Sequence, residues 1–532
     1  MKKLSSKQFR QERKKFWELK KHKYLPESLL IGGNESTAMF NIAGMQQLIP
    51  YLSGKEHQLG KRLFNIQKCI RTVDIDEVGD ASHLTFFEMM GNWSLGDYFK
   101  EEAIKWSWEF LVDVLGFEKE NLAVTVFEGN NESPKDIQTA NYWKEIGISE
   151  DKISYMSAKN NRRSPGAVGP CGPDTEIFYR TGKENLPSKK SNPKSDENNR
   201  LEIWNNVFME FYCNENGKLS KLKNQNVDTG MGFERMCKIL QNKETIFETD
   251  LFLPLIELIE KYVGLKYIGN EKRFRIIADH IRTVFFMIKN GILISNEGRG
   301  YVIRRLVRRM YYNFVLMKEI NESEFKSFLK DIGNEINKIF EETENIENFV
   351  NVMTKEINQF QKTLKNGQKM MKYLCEKKSA GNIISGEDMF KLYDTFGFPL
   401  ELTCELANEK GIKTDLKGFH KEIQKQQQKS RQSGKDMFKQ GIDWGKYLQG
   451  IPQTKFIGYG DDWKNLKGME SKLLKDFVVD GQRIFVFDQT PFYAECGGQT
   501  GDKGIVILDN GEKVEIVDVK KYEGIFLHFA KR

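Results

Sequence analysis

The stretch "NVDTGMGFERM" (226–236) brings an acid, two glycines and an arginine together. Gly230 and Gly232 let another group approach the backbone closely. A helical pattern begins at Phe233, so Arg235 lies in the first helical turn, where anions are favoured and a guanidinium suits a polyphosphate. Neither the Lys-Ser/Thr pair of a P-loop nor a third spaced glycine follows. The stretch therefore predicts a polyphosphate site of another kind.

Two further residues in this part of the chain indicate a second ligand group. Asp228 has the wrong sign for phosphate and suits an ammonium, although it could also cap the following helix. In the strand "EIWNNVFMEF" (202–211), alternation places Ile203, Asn205 and Val207 on one face. One amide in an apolar row is typical of a small pocket with one orienting group, or of an asparagine near a sheet edge. Both interpretations stay open on the residues alone.

A third candidate lies in residues 65–99, where Arg71 follows an apolar strand and an acidic loop. The segment "LTFFEMM" then returns as a second strand that carries Phe86 and Phe87. An arginine on a strand ordinarily forms a surface salt bridge. Beside an aromatic platform, it matches a purine nucleotide site in which the ring stacks on phenylalanine and the guanidinium holds the α-phosphate.

The fourth candidate is a basic segment, residues 275–310, with eight Lys/Arg against two acids. Arg304 and Arg308, and likewise Arg305 and Arg309, are four residues apart, which predicts a positive stripe along one helix. A solvated face is one explanation. Because the helix follows the turn-like "SNEGRG", nucleic-acid binding is the other.

The elements that must position these residues divide the chain into three predicted domains. Residues 1–248 mix helices with irregularly spaced strands at 121–129, 175–180 and 201–213, which indicates an antiparallel α+β core. Residues 249–448 carry apolar stripes at helical spacing. Residues 449–532 turn to short strands that could close a small β-barrel.

Composition excludes several classes of protein. The net charge of +7 comes from 82 basic and 75 acidic residues, too small an excess to identify an anionic partner by itself. Seven cysteines without a C-x-x-C pair indicate reduced thiols. The basic N-terminus has no apolar stretch after it, and no run reaches the ~18 apolar residues that span a bilayer. These features predict a soluble, cytoplasmic protein without membrane partners.

Taken together, the motifs resemble the alanyl-tRNA synthetase family of class II synthetases. The similar segments run over nearly the whole chain; they are "CIR…TFFEMMGNWSLGDYFKEEAI", "GPCGPDTEIFY", "NVDTGMGFERM", "IADHIR", "SNEGRGYVIRRLVRR", "LYDTFGFPLELT" and "TPFYAECGGQTGDKG". The resemblance implies an antiparallel sheet flanked by helices, then an all-helical tRNA-recognition domain, then the opening β-barrel of an editing domain.

The resemblance also implies a reaction. ATP, with Mg²⁺, would activate L-alanine as alanyl-adenylate, and the alanyl group would pass to the 3′ end of tRNA(Ala). Arg71 would hold the α-phosphate and the attacking carboxylate, and Phe87 would stack on adenine with His83 nearby. Arg235 would lie on the other adenine face or on the γ-phosphate, beside Gly230 and Gly232.

The alanine and tRNA sites follow from the same resemblance. Asp228 would pair with the alanine ammonium, while Asn205 and Val207 would wall the methyl pocket. Asn296 and Asp394 match residues that read the G·U wobble pair of the acceptor stem. The expected phosphate contacts are Arg299, Arg304 and Arg305.

Three departures from the family pattern carry expectations. Arg162 and Arg163 stand where relatives have a pocket aromatic, and only His83 remains of a histidine pair. The chain ends inside the opening barrel, and its six histidines stand apart without the His-x-x-x-His zinc ligands. We therefore expect no zinc and no editing by this chain, and leave open a separate chain that supplies the editing and C-terminal domains. The alternatives are a non-catalytic RNA-binding paralogue with a degenerate pocket, and an enzyme that activates alanine without charging tRNA.

Overall fold

The computed structural model describes residues 1–31, 39–130, 133–163, 168–181, 192–194, 196, 199–295, 298–377, 383–425, 444–457, 470–479, 481–492, 494, 502–522 and 524–531. The chain forms two compact units, Met1–Gln368 and Lys369–Arg532. Their division falls inside one long helix, and the predicted limits at residues 248 and 448 stay predictions.

A nine-stranded sheet organises the first unit. Its strand order is β1-β2-β3-β9-β8-β7-β4-β5, with β6 paired to β7. All of these pairs are antiparallel except β1 with β2 and β4 with β5. The strands are β1 Lys23–Tyr24, β2 Arg62–Ile70, β3 Phe86–Leu95, β4 Leu122–Phe127, β5 Ile153–Met156, β6 Arg162–Arg163, β7 Gly169–Arg180, β8 Arg200–Cys213 and β9 Leu219–Gly232. The predicted α+β class, with a largely antiparallel sheet, is confirmed.

The strand β9 differs from the expectation in its length. It continues through Gly232, so Gly230 and Gly232 lie in the sheet and pair with Asn205 and Met89. The two glycines therefore lie within the sheet and not in a turn between strand and helix, and their place at a nucleotide site stays a prediction. The helix nevertheless begins where the sequence predicts it, directly after β9.

Helices cover the sheet and continue beyond it. They are α1 Ser6–Leu19, α2 Ile49–Leu52, α3 Lys100–Trp108, α4 Ile137–Glu145, α5 Ala158–Asn161, α6 Phe233–Leu240, α7 Leu253–Val263, α8 Glu271–Lys289, α9 Gly298–Met317, α10 Glu322–Phe340 and α11 Ile346–Lys377. Helix α3 continues as a π-helical turn over Glu109–Val114. Aromatic stacking ties α1 to α6, with the Phe9 and Phe233 ring centroids 5.7 Å apart.

The residues that follow the large sheet are helical, as predicted. The apolar stripe that predicted a helix near residue 325 forms α10, which Asn321 caps by accepting the amide of Glu324. Helix α8 packs on β3 through Phe86 and Phe286, whose parallel rings have centroids 4.5 Å apart. The sheet and these helices therefore share one core within the first unit.

The second unit contains helices followed by a smaller sheet. Its helices are α12 Gly386–Phe396, α13 Leu400–Glu409, α14 416–425 and α15 Trp444–Leu448. Its strands are β10 Ile383–Ile384, β11 Lys413–Thr414, β12 Lys455–Phe456, β13 Leu473–Val479, β14 Gln482–Phe487, β15 Gln489–Thr490, β16 Gly504–Ile507, β17 Lys513–Tyr522 and β18 Ile525–Ala530.

The four strands expected near the C-terminus are confirmed as β14, β16, β17 and β18. With β13 they form an antiparallel sheet of order β13-β14-β18-β17-β16. Alternation along β14 sends Phe485 into one apolar cluster and Ile484 into another, so both faces of this sheet are covered. Among the described residues no pairing joins β13 to β16, and the closed barrel stays a prediction. Within the described ranges, no helix has the length and hydropathy to cross a bilayer.

Candidate nucleotide and amino-acid site

Strand register brings the predicted site residues to one face of the large sheet. Met89 on β3 lies opposite Gly232, and Gly230 lies opposite Asn205 on β8. Residues directly opposite one another share a face, and so do residues two apart on one strand. One face therefore carries the following residues: Phe87, Met89, Gly232, Gly230, Asp228, Asn205 and Val207.

Asp228 lies on β9 and accepts a hydrogen bond from a tryptophan on the neighbouring strand β3. The indole Nε1 of Trp93 donates to its Oδ1 at 2.6 Å. Burial raises the pKa of Asp228 to about 7, although the Trp93 hydrogen bond acts in the opposite direction. Because α6 begins only at Phe233, with Gly232 at its N-cap, the helix-cap interpretation of Asp228 is wrong.

Asn205 is held by a residue that the sequence analysis missed. Its Nδ2 donates to Oδ2 of Asp174 at 2.7 Å, and its Oδ1 is buried without a hydrogen-bond partner among the described residues. Since β8 lies between β7 and β9, the sheet-edge interpretation is also wrong. Amide nitrogen and oxygen are distinguished by their partners, so Asp174 leaves Oδ1 as an acceptor that faces the site.

Val207 lies between two carboxylates. It is buried, and its cross-strand neighbours are Asp174 on β7 and Asp228 on β9. Asp174 and Glu176 alternate along β7 on this same face, opposite Val207 and Asn205. That period-two pair of acids in "GPDTEIFY" was the available signal for Asp174, and its meaning depended on knowing which strand lies beside β7.

Two glycines on this face of the sheet lie against neighbouring side chains. A Cβ at Gly230 would lie 3.2 Å from Sδ of Met89, and one at Gly91 would lie 2.2 Å from the Trp93 ring. Such contacts exclude a side chain at Gly91 and crowd one at Gly230. The missing side chains leave room for the Trp93 ring and the Met89 side chain, and the Trp93 ring is the one that reaches Asp228.

Arg71 is poised for an anion. The predicted hairpin of β2 and β3 forms, and the Arg71 guanidinium lies over the Phe87 ring, 4.9 Å from its centroid. The Arg71 side chain is exposed and forms no ion pair with a described residue, so the expected surface salt bridge is not formed there. An exposed guanidinium on an aromatic face has its hydrogen-bond donors available for a phosphate.

Arg235 occupies the first turn of α6, as predicted. Its Nη1 lies 3.2 Å from the carbonyl oxygen of Glu202 and 3.4 Å from Oε2 of the same residue. Both side chains are partly exposed. Both contacts use Nη1, so the other nitrogens of the Arg235 guanidinium remain open to a ligand. The Glu202 carboxylate is the kind of hard oxygen that Mg²⁺ takes.

Both ring nitrogens of His83 contact carboxylates. Nδ1 lies 2.5 Å from Oδ2 of Asp80, and Nε2 lies 2.9 Å from Oε2 of Glu77. These contacts belong to the loop between β2 and β3. A role for His83 beside ATP stays a prediction.

Four arginines of α9 have partners within the protein, and the expected contacts of Arg304 and Arg305 with RNA phosphate stay predictions. Arg304 and Arg308 both pair with the buried Glu356 of α11, with N–O distances of 3.3 and 2.7 Å. Arg305 pairs with Asp76. Arg309 is buried and donates to the carbonyl oxygen of Ile75 at 2.9 Å. The four arginines hold neighbouring segments of the protein.

The remaining predicted residues are only partly described. Arg299 donates to the carbonyl oxygen of Met39, and Asp394 is exposed on α12. Asn296 lies outside the described residues. Arg162 and Arg163 form β6, which pairs with β7, but their side chains also lie outside the description. Within the described part of the chain, no three His, Cys, Asp or Glu side chains group as metal ligands would.

The chain is similar in sequence to known proteins over its whole length. The chain is 41% identical to an alanine–tRNA ligase of Thermotoga petrophila over 548 residues, which covers all of this chain and 62% of that protein. It is 44% identical to an alanine–tRNA ligase of Borrelia hermsii over 445 residues, covering 80% of this chain and 73% of that one. A solved histidyl-tRNA synthetase from S. aureus aligns over 45% of this chain and 67% of its own, with 10% identity and a TM-score of 0.29.

The sequence also matches a model of a whole family. That model describes class II (A) tRNA synthetases, and residues 8–532 match it. Together with the relatives above, this match shows that the chain belongs to the class II tRNA synthetase family.

Proposed function

We propose that the chain acts as an alanine–tRNA ligase in the cytoplasm. It binds ATP and L-alanine, forms alanyl-adenylate and transfers the alanyl group to the 3′ end of tRNA(Ala). The observation that carries the proposal is the single sheet face on which Phe87 and Asp228 lie, with strand glycines between them. The chain spans 62% of the length of the T. petrophila relative, so the activity of that protein comes to this chain as a proposal.

The alanine side of the proposal rests on charge and size. The Asp228 carboxylate would pair with the substrate ammonium, and the free Oδ1 of Asn205 would accept a second ammonium hydrogen. Val207, which is buried opposite Asp228, would wall the pocket for the alanine methyl group. A charge-assisted hydrogen bond of this kind is worth roughly 1.5–3 kcal/mol.

The nucleotide side rests on Arg71, Phe87 and Arg235. Adenine would stack on Phe87, and Arg71, which already lies over that ring, would turn its donors to the α-phosphate. The reaction needs no protein nucleophile, because the alanine carboxylate attacks the α-phosphorus and pyrophosphate leaves. The two guanidiniums offset the charge that develops, and Glu202 fits the Mg²⁺ that accompanies ATP.

Alanine-dependent exchange of pyrophosphate into ATP tests the activation step. We expect exchange with alanine, and weaker exchange with serine and glycine, because a small pocket separates poorly between ligands that differ by one small group. A protein that binds tRNA but shows no exchange with any of the three would instead be the RNA-binding paralogue.

Transfer to RNA requires a separate assay. We expect alanylation of an acceptor minihelix with a G·U pair and little alanylation of a G·C control. Asn296→Ala should relax that preference while adenylate formation continues. Exchange without transfer would identify an enzyme that activates alanine for another acceptor.

The expectations about zinc, editing and a separate editing chain stay predictions. The first two rest on the six separated histidines of the sequence, and the third on the need of a small alanine pocket for editing. Incubation with Ser-tRNA(Ala) tests the editing expectation. Deacylation of Ser-tRNA(Ala) well above the spontaneous rate would show that this chain has editing activity.

A further inference from the structure

The motif "IADHIR" (277–282) lies in α8, and its side chains contact the strand that carries Phe87 and the segment before it. Arg275, Asp279, Arg282 and Phe286 follow helical spacing, so one face of α8 presents all four. That face reaches the backbone just before and at the start of β3. Arg275 Nη1 donates to the carbonyl oxygen of Gly79 at 3.3 Å, and the amide of Thr85 donates to Oδ1 of Asp279 at 3.0 Å.

Arg282 makes the contact nearest to the candidate site. Its Nη2 donates to the carbonyl oxygen of Phe86, the residue before Phe87. Its Nη1 lies 3.3 Å from Oε1 of Glu234, and both side chains are buried. The guanidinium also lies over the Phe252 ring, 4.1 Å from its centroid.

Glu234 contacts the backbone on the other side of Phe87. Its two carboxylate oxygens accept the amide of Glu88 at 3.2 and 3.1 Å. The Arg282–Glu234 pair therefore holds the carbonyl before Phe87 and the amide after it. Glu234 also directly precedes Arg235 on α6, so the same ion pair links the two residues expected to enclose adenine.

We propose that Arg282, held by Glu234, is a positioning residue for the adenine subsite. It touches no substrate. It sets the backbone of residues 86–88, and hence the plane of the Phe87 ring on which Arg71 also rests. A buried ion pair often adds no more to stability than apolar side chains of the same volume would. We therefore assign the Arg282–Glu234 pair a role in the geometry of the backbone. This inference rests on the proposed function for the identity of the ligand.

The test compares three variants in alanine-dependent pyrophosphate exchange. Arg282→Lys keeps the charge but loses the fork that spans Phe86 and Glu234. We expect it to raise the KM for ATP about tenfold and to leave the KM for alanine unchanged. Phe87→Leu should raise the KM for ATP similarly. In the double variant the two effects should not add, since both act through the Phe87 ring.

The matched control breaks another buried ion pair of the same unit. Lys100 pairs with Asp136 at 2.9 Å, and both are buried. Lys100→Met should lower the thermal unfolding midpoint without changing the KM for ATP. If Arg282→Lys raises both KM values equally, behaves like Lys100→Met, or adds fully to Phe87→Leu, then Arg282 is merely structural.

The inference and the proposed function can fail separately. Titration calorimetry with ATP measures binding to the same variants without any chemistry. If the unsubstituted protein binds ATP but gives no exchange, the proposed function fails, and weaker ATP binding by Arg282→Lys still supports the positioning role. Equal ATP binding by both proteins, or none by the unsubstituted one, overturns it.

Discussion

Two groups of arginines in the first unit differ in what surrounds them. Arg71 and Arg235, next to the large sheet, are exposed or half-exposed and keep most of their donors unengaged. Arg304, Arg305, Arg308 and Arg309 of α9 are the reverse. Arg304 contacts buried Glu356, and Arg309 donates to backbone carbonyls from a buried position. The first group is available to a ligand, whereas the second holds neighbouring segments in place.

The largest effect should come from removing an available arginine. Arg71→Ala should lower kcat/KM for alanine activation by about 10²–10³-fold, since it removes a donor aimed at the charge of the transition state. Its thermal unfolding midpoint should stay unchanged, because no ion pair with a described residue is lost. Pyrophosphate exchange and a melting curve measure the two quantities.

Arg62→Ala is the matched control for Arg71. Arg62 begins β2, the strand that Arg71 directly follows, but it pairs with Asp97 at 2.9 Å. Exchange should survive this change. An equal loss of exchange in both variants would mean that removing any positive charge from this hairpin lowers activity. The contrast between available and engaged arginines would then not hold.

Arg309 should behave in the opposite way. It donates to the carbonyl oxygens of Ile75 and Val78 at 2.9 and 3.3 Å, and to Nε2 of His280 at 2.9 Å. Arg309→Met leaves these buried acceptors without their donor, so the free energy of unfolding should fall by about 2–4 kcal/mol. Denaturant unfolding measures this loss. A fully stable Arg309→Met that no longer binds a minihelix would instead make Arg309 an RNA contact.

This contrast also marks what the sequence could predict. Alternation along a strand predicts a shared face, so the amino-acid pattern alone was enough to assign Asn205 and Val207 together. Helical spacing likewise predicted that Arg304 and Arg308 share a face of α9. It gave no information about the element opposite, and the buried Glu356 that neutralises them lies 48 residues beyond Arg308. Such long-range partners leave no local signature.

Strand register is the second limit. The sequence contains Asp174, and its spacing from Glu176 fits a strand, but only the pairing of β7 with β8 places it beside Asn205. The glycines illustrate the same point. Gly230 and Gly232 resemble a loop in the one-dimensional pattern, yet the register with β3 and β8 places them inside the sheet. Glycine is unusual in a central strand, and here Gly230 leaves room for the Met89 side chain of the neighbouring strand.

Asp228 should give the alanine site a pH dependence. Its pKa is raised to about 7 by burial, so the free protein holds it protonated below that pH. Pairing with an ammonium requires the carboxylate, and the proton must first be released. The KM for alanine should therefore rise about tenfold for each pH unit below 7 and level off above it.

Asp228→Asn separates this effect from other titrations. The variant should have a high KM for alanine that no longer changes with pH in this range, while its KM for ATP stays near that of the unsubstituted protein. An unchanged alanine KM at neutral pH would remove Asp228 from the site. A pH dependence that persists in the variant would assign the titration to another group.

The smallest effect should come from the ion pair between Arg305 and an exposed aspartate. Arg305 pairs with Asp76, whose side chain is 67% exposed, and such pairs add less than about 1 kcal/mol to stability. Asp76→Asn should leave unfolding nearly unchanged. It also removes a carboxylate that competes with RNA phosphate for Arg305. Minihelix affinity should rise about two- to fivefold at low salt and return to the unsubstituted value as salt screens the charge.

Asp113→Asn supplies the same change of charge on an exposed residue of a different element. If both variants gain affinity equally, the gain comes from net charge alone, and Arg305 remains a purely internal contact. If only Asp76→Asn gains, Arg305 can exchange an internal partner for a phosphate. The division between available and engaged arginines would then depend on whether RNA is bound, because a solvent-facing carboxylate can be replaced by phosphate, whereas the buried Glu356 cannot.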